Sequence, residues 1–135
     1  MPQLVERPAV IEAAGNKPKR IAELVGRVNT SHGHVSVAHM ISPSGWVEPG
    51  QRPEFEEISV VLRGELHVEH QAGSMVVGVG QAMIARPGEW VRYSTPGAQG
   101  AEYLAVCLPA FSPDTVHRDP EGHRDREDHR DPGET

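Results

Sequence analysis

From Val28 onward the chain consists of short apolar runs, each cut off within a few residues by glycine, proline, asparagine or serine. Glycine and proline together account for 26 of the 135 residues, and no window sustains the 3.6-residue apolar period that a helix needs to bury one face. A strand needs only alternation over a handful of residues, which these runs supply. The spacing predicts strands over residues 35–41, 57–62, 65–70, 75–79, 82–85, 91–94 and 103–108. Short strands at this density point to an all-β sandwich or barrel, in a single domain large enough to bury about two-thirds of its surface.

Alternation assigns faces within these runs. In the segment Glu65 to His70, Leu66 and Val68 share one side while Glu65, His67 and Glu69 share the other, so His67 is expected at the surface. Arg63-Gly64-Glu65 reads as a tight connection between two antiparallel strands, with Gly64 at positive φ. Val91 and Tyr93 share a face, with Trp90 and Arg92 opposite. Tyr103, Ala105 and Cys107 line one side of the last strand, and their small members leave room for a ligand.

Charge is unevenly spread. The net charge is -6, and residues 114–135 alone hold four arginines against eight acidic residues. The body is near neutral with scattered cations, unlike the basic stripe of a nucleic-acid binder. Cys107 is the one cysteine, so no intrachain disulfide forms, and a buried, inert thiol is the simpler reading for it. No run approaches the roughly 18 apolar residues of a membrane span, and the N-terminus lacks a basic region followed by an apolar core. The expected protein is cytoplasmic, with neither nucleic acid nor membrane as partner.

Three units are expected along the chain: a lead-in over 1–27, the β domain over 28–113, and an acidic tail over 114–135. Pro8 and Pro18 interrupt the lead-in, and its cluster Lys17-Pro-Lys-Arg20 reads as solvated linker. The tail repeats His-Arg-Asp from His117, His123 and His129 and carries no apolar residue after Val116. It cannot bury enough surface to offset its ordering entropy, so disorder is expected.

Two glycine-punctuated segments carry a resemblance. The first runs from Gly45 through Glu57 to Gly64, and the second from Gly80 through Pro87 and Gly88 to Val91. Their spacing, and the short gap between them, resembles the two motifs of the cupin superfamily, and the whole run is similar to small stand-alone bacterial cupins. The resemblance covers roughly residues 30–110. It implies a single double-stranded β-helix, or jelly-roll, barrel, commonly dimeric.

Cupins usually hold a transition metal on histidines of these motifs, and here those positions carry Gln51, Pro53 and Val91, leaving only Glu57. A Zn, Fe, Mn or Ni site needs about three or four converging donors, so no metal and no other cofactor is expected. The resemblance points Glu57 into the barrel. There it is either a general acid/base with a raised pKa or a buried acid satisfied by Arg52 or Tyr93. The candidate catalytic residues are Glu57 and Tyr93; the candidate ligand contacts are Gln51, Glu57, His39, Arg52, Val91 and Tyr103. For His39, a rim position competes with a pocket role, and Glu48, Glu54 and Glu56 read as a solvated loop face. The expected function is binding of a small polar organic molecule without a tightly held metal. A lyase, isomerase or cyclase that moves a proton with Glu57 is the alternative, and a metalloenzyme with atypical Glu, Gln and His ligands a weaker one.

Overall fold

A computed structural model of the protein describes residues 1–120. Ten strands follow one another: β1 (Ala9–Ile11), β2 (Arg20–Val25), β3 (Ser36–Ser42), β4 (Trp46–Val47), β5 (Glu56–Gly64), β6 (Leu66–His70), β7 (Gly73–Val77), β8 (Ala82–Ala85), β9 (Val91–Thr95) and β10 (Ala101–Leu108). They form two antiparallel sheets, one ordered β1-β2-β3-β10-β5-β8 and the other β4-β9-β6-β7. The architecture is all-β with the two-sheet arrangement of a jelly roll.

The period-2 pattern that marks these strands also builds the core. Along β10, Ala101, Tyr103, Ala105 and Cys107 are buried while the residues between them are not. Trp46, Val61, Leu66, Val68, Val77, Met83, Val91, Tyr93 and Tyr103 come from both sheets and merge into one apolar cluster. Along β5, β6, β8, β9 and β10 these positions are the inward halves of alternating pairs, so one residue of slip there would turn them out to water.

Gly64 has φ of 74° as anticipated, but its role differs from a hairpin turn. β5 pairs with β10 and β8, whereas β6 pairs with β7 and β9, so Gly64 carries the chain from one sheet to the other. A Cβ on Gly64 would collide with the Gly100 carbonyl, and one on Gly100 with the Ser42 carbonyl. The backbones approach too closely there for any side chain.

The terminal segments depart from the expected division. The lead-in contributes β1 and β2 to the larger sheet, with β2 paired along β3 and β1 along β2. It also ties itself to β4: Asn16 N donates to Val47 O, and Val47 N donates to Asn16 Oδ1. At the other end, the first residues of the expected tail are part of the fold. Glu54 N donates to Thr115 O, Arg52 N to His117 O, and Asp119 N to Gly50 O. Val116 is buried with Phe55, Cys107 and Phe111 in a second apolar cluster. The apolar Phe111 and Val116 hold this strap down, and the purely polar repeat beyond residue 120 lies outside the described residues.

Candidate functional site

Between the sheets lies a cavity of about 60 Å³, room for a group of a few heavy atoms given that one water takes about 10–15 Å³ on this measure. Its walls come from the inward positions of β3, β5, β9 and β10, from the loop 48–55, and from both terminal segments. A larger outer cavity of about 390 Å³ adjoins it, and the two share Ile11, Glu23, Phe111 and Arg118.

Glu57 is the second residue of β5 and faces the cavity because Ser59 and Val61, two and four residues on, are buried on the same side. Tyr93 reaches it from the opposite sheet, donating its hydroxyl to Glu57 Oε1 at 2.9 Å. Burial, reinforced by the neighbouring Glu48 carboxylate, pushes the Glu57 carboxyl up to about 7; the Tyr93 bond and the cations Lys19 and Arg118 oppose that rise. Burial also raises Glu48, again against Lys19 and Arg118. The Tyr93 phenol is driven well above its ordinary value by burial and by Glu57, so it remains a donor.

A second polar group faces the same space. Lys19 donates to the Tyr103 hydroxyl at 2.7 Å and lies 3.9 Å from the centroid of the Trp46 ring. Ser42 Oγ is 3.2 Å from the same hydroxyl. Glu23 is spoken for, since its Oε2 accepts from Val28 N and Asn29 N and so shapes the loop after β2. Burial raises the Cys107 thiol far above its ordinary range, which leaves it unreactive on the cavity wall.

Of the residues anticipated from sequence, Glu57, Tyr93, Gln51 and Tyr103 meet in the cavity. His39 does not. Ala38 and Met40 take the inward positions of β3, so His39 points outward, where its Nε2 pairs with Glu102 Oε2 at 2.7 Å. Arg52 is exposed and donates to the Gly88 carbonyl at 3.0 Å; Gln51 beside it faces inward, which turns Arg52 out. Val91 packs into the apolar core rather than the cavity wall, and its backbone exchanges bonds of 2.8 and 2.9 Å with Gln51.

Glu48, Lys19 and Arg118 were not anticipated in the site. Glu48 carried a readable signal, because it stands two residues after the buried Trp46 and so shares its inward direction. Lys19 and Arg118 carried none, since each arrives on a terminal segment through pairing with residues distant in sequence.

The donor set does not fit a tightly bound transition metal. The cavity offers Glu48, Glu57, the neutral amide of Gln51, Glu23 with its Oε2 already engaged by two backbone N–H groups, and Cys107 held as a thiol, with the Lys19 ammonium among them. Among the described residues no three of histidine, cysteine, aspartate and glutamate converge as ligands.

No family model matches the chain. It is 41% identical over 101 residues to the endoribonuclease YbeY of Myxococcus xanthus, covering 75% of this chain and 34% of that protein. It is 36% identical over 56 residues to the acetate kinase EutQ of Salmonella typhimurium, covering 42% of this chain and 24% of that protein. The chain thus spans about a third of the length of the first of these curated relatives and about a quarter of the second. Among solved structures, the polyketide cyclase RemF of Streptomyces resistomycificus superposes with a TM-score of 0.73 at 20% identity, covering 94% of this chain and 92% of that one. The cupin domain of Schizosaccharomyces pombe Cnp3 superposes with a TM-score of 0.61 at 12% identity, covering 72% and 69%.

Proposed function

We propose that the chain is a member of the cupin superfamily, whose fold it shares, and that its inner cavity binds a compact polar organic molecule without a tightly held transition metal. The observation that carries this reading is the cavity itself: apolar walls with Glu57, Tyr93, Gln51 and Tyr103 gathered on one space. Mouths of β-barrels and sandwiches that bind small ligands combine apolar lining with a few such groups. Glu57 and Gln51 hydrogen-bond the ligand, and Tyr93 and Tyr103 orient it.

The test is a thermal-shift panel of small neutral and charged polar molecules against the wild type and Ala105→Leu, which fills the cavity from β10. Stabilisation of the wild type, lost in a variant that still folds, supports the reading. A panel that stabilises both proteins equally, or neither, overturns it. Near-stoichiometric Fe, Mn, Ni or Zn in protein purified without a histidine tag would overturn its metal-free part.

One observation favours a second reading, an enzyme of the lyase, isomerase or cyclase type. A carboxyl held near 7 exchanges protons at neutral pH, the property a general acid/base needs. The fold is shared with a protein named as a polyketide cyclase. In this reading Glu57 moves a proton at the ligand and Tyr93 holds the carboxyl in place. Glu57→Gln abolishes turnover while leaving affinity for a neutral ligand largely intact; equal loss of both would assign Glu57 to binding alone.

We also propose that the protein forms a homodimer through the outer face of the larger sheet. Leu62, Ile84 and Leu108 are 45%, 51% and 38% exposed on that face. They stand on the neighbouring strands β5, β8 and β10. Water against so much aliphatic surface is unfavourable, and a second copy would cover it.

A further inference from the structure

Gln51 and Arg118 stand opposite each other where the strap runs antiparallel to the loop after β4. The bonds from Arg52 N to His117 O, at 3.1 Å, and from Asp119 N to Gly50 O, at 2.7 Å, flank them. They are therefore the non-hydrogen-bonded pair of this short ladder, whose side chains stand closest together and on the same face. Both line the inner cavity.

Gln51 Oε1 and Arg118 Nε are both buried, and neither has a hydrogen-bond partner among the described residues. Gln51 as a whole is only 4% exposed. A buried acceptor beside a buried cationic donor, each unpaired, is costly unless something supplies the opposite pair. The complement is a group presenting an anionic acceptor next to a donor. Arg118 lines the outer cavity as well, as does Glu23, whose Oε2 is engaged by Val28 N and Asn29 N, whereas Glu48 and Glu57 line only the inner one. Arg118 thus reaches the boundary between the cavities, and Lys19 adds a second positive charge to the inner wall, so two cations offset the carboxylates that an anionic ligand would meet.

We propose that the ligand of this pocket is a hydroxy acid anion, its carboxylate accepting from Arg118 Nε and its neighbouring hydroxyl donating to Gln51 Oε1. The inference rests on the small-molecule reading of the pocket and names the chemical class that fills it. The remaining end of the ligand points toward Glu57 and Tyr93, or, in a larger hydroxy acid, out through the adjoining cavity.

The test titrates the full chain with glycolate, with acetate and ethylene glycol as probes that each keep one of the two groups, following pocket amide signals by NMR. Glycolate is expected to saturate the site and to bind about tenfold more tightly than either fragment. Arg118→Gln is expected to lose about 10- to 100-fold in glycolate affinity, the usual worth of a hydrogen bond to a charged group, and to lose much less in ethylene glycol affinity. Wild-type affinity for glycolate in Arg118→Gln would overturn the inference, as would ethylene glycol binding as tightly as glycolate. Should that variant fail to fold, the comparison of the three probes on the wild type still decides. If neutral molecules bind the pocket and glycolate does not, the hydroxy acid assignment fails and the small-molecule reading stands. If no molecule of any class moves the pocket signals, both fail.

Discussion

Glu57 is the residue on which the chemistry of the site turns, and its environment makes a definite claim about pH. Its carboxyl titrates near 4.5 in the unfolded chain and near 7 in the fold, so between these values the folded protein holds a proton that the unfolded chain has lost. Stability from this group is full below about pH 4.5 and is lost as pH rises through about 7, by roughly 3 kcal/mol if Glu57 acted alone. Glu57→Gln carries no such charge. The difference in unfolding free energy between wild type and Glu57→Gln should therefore shift in favour of the variant between pH 5 and 8, measured by urea denaturation. A difference that stays constant with pH would contradict this environment. Tyr93→Phe removes a hydrogen bond that favours the charged carboxylate. It should raise the Glu57 titration further and cost about 1 kcal/mol of stability, read by carboxyl NMR and by denaturation.

At the scale of elements, the strap over residues 110–119 and the first two strands complete the cavity. Ala110 N donates to Gly33 O, Phe111 N to Ser36 Oγ, and the Phe111 ring meets Phe55 edge-on at 5.8 Å. Val116 is 2% exposed beneath the strap. Val116→Ala leaves a gap there and should cost about 1–2 kcal/mol. It should also speed amide exchange at Arg52 and Glu54, whose donors bond the strap; exchange unchanged at both would separate the strap from the loop. These terminal elements also mark where the sequence stopped being informative. Gln51, Glu57, Tyr93 and Tyr103 were readable because motif register and strand alternation, both local properties, fix which way a side chain points. Lys19 and Arg118 were not, because a lysine after a proline and an arginine in an acidic repeat look solvated until non-local pairing turns them inward. His39 failed for a local reason: the inward positions of β3 belong to Ala38 and Met40, and a histidine between them must face out.

For the whole molecule, two sheets share one apolar core and enclose a polar cavity, while the larger sheet turns aliphatic side chains to the outside. The homodimer reading predicts about twice the chain mass in solution by light scattering, and Ile84→Lys on the exposed face should shift it to the monomer without lowering the monomer's stability. A monomeric wild type would contradict that reading. The glycine spacing gave away the two-sheet plan because turns and close backbone approaches, as at Gly64 and Gly100, tolerate little else. The chemistry lay in which side chains replaced the family's histidines and in what the distant segments brought beside them. The central claim is that the cavity holds a desolvated carboxyl ready to exchange a proton at neutral pH. Titration of the Glu57 carboxyl carbon by NMR, with Glu57→Gln for assignment, tests it most directly. The account predicts a midpoint near 7. A midpoint near the ordinary 4.5 would mean an ionised, solvated acid and would contradict it.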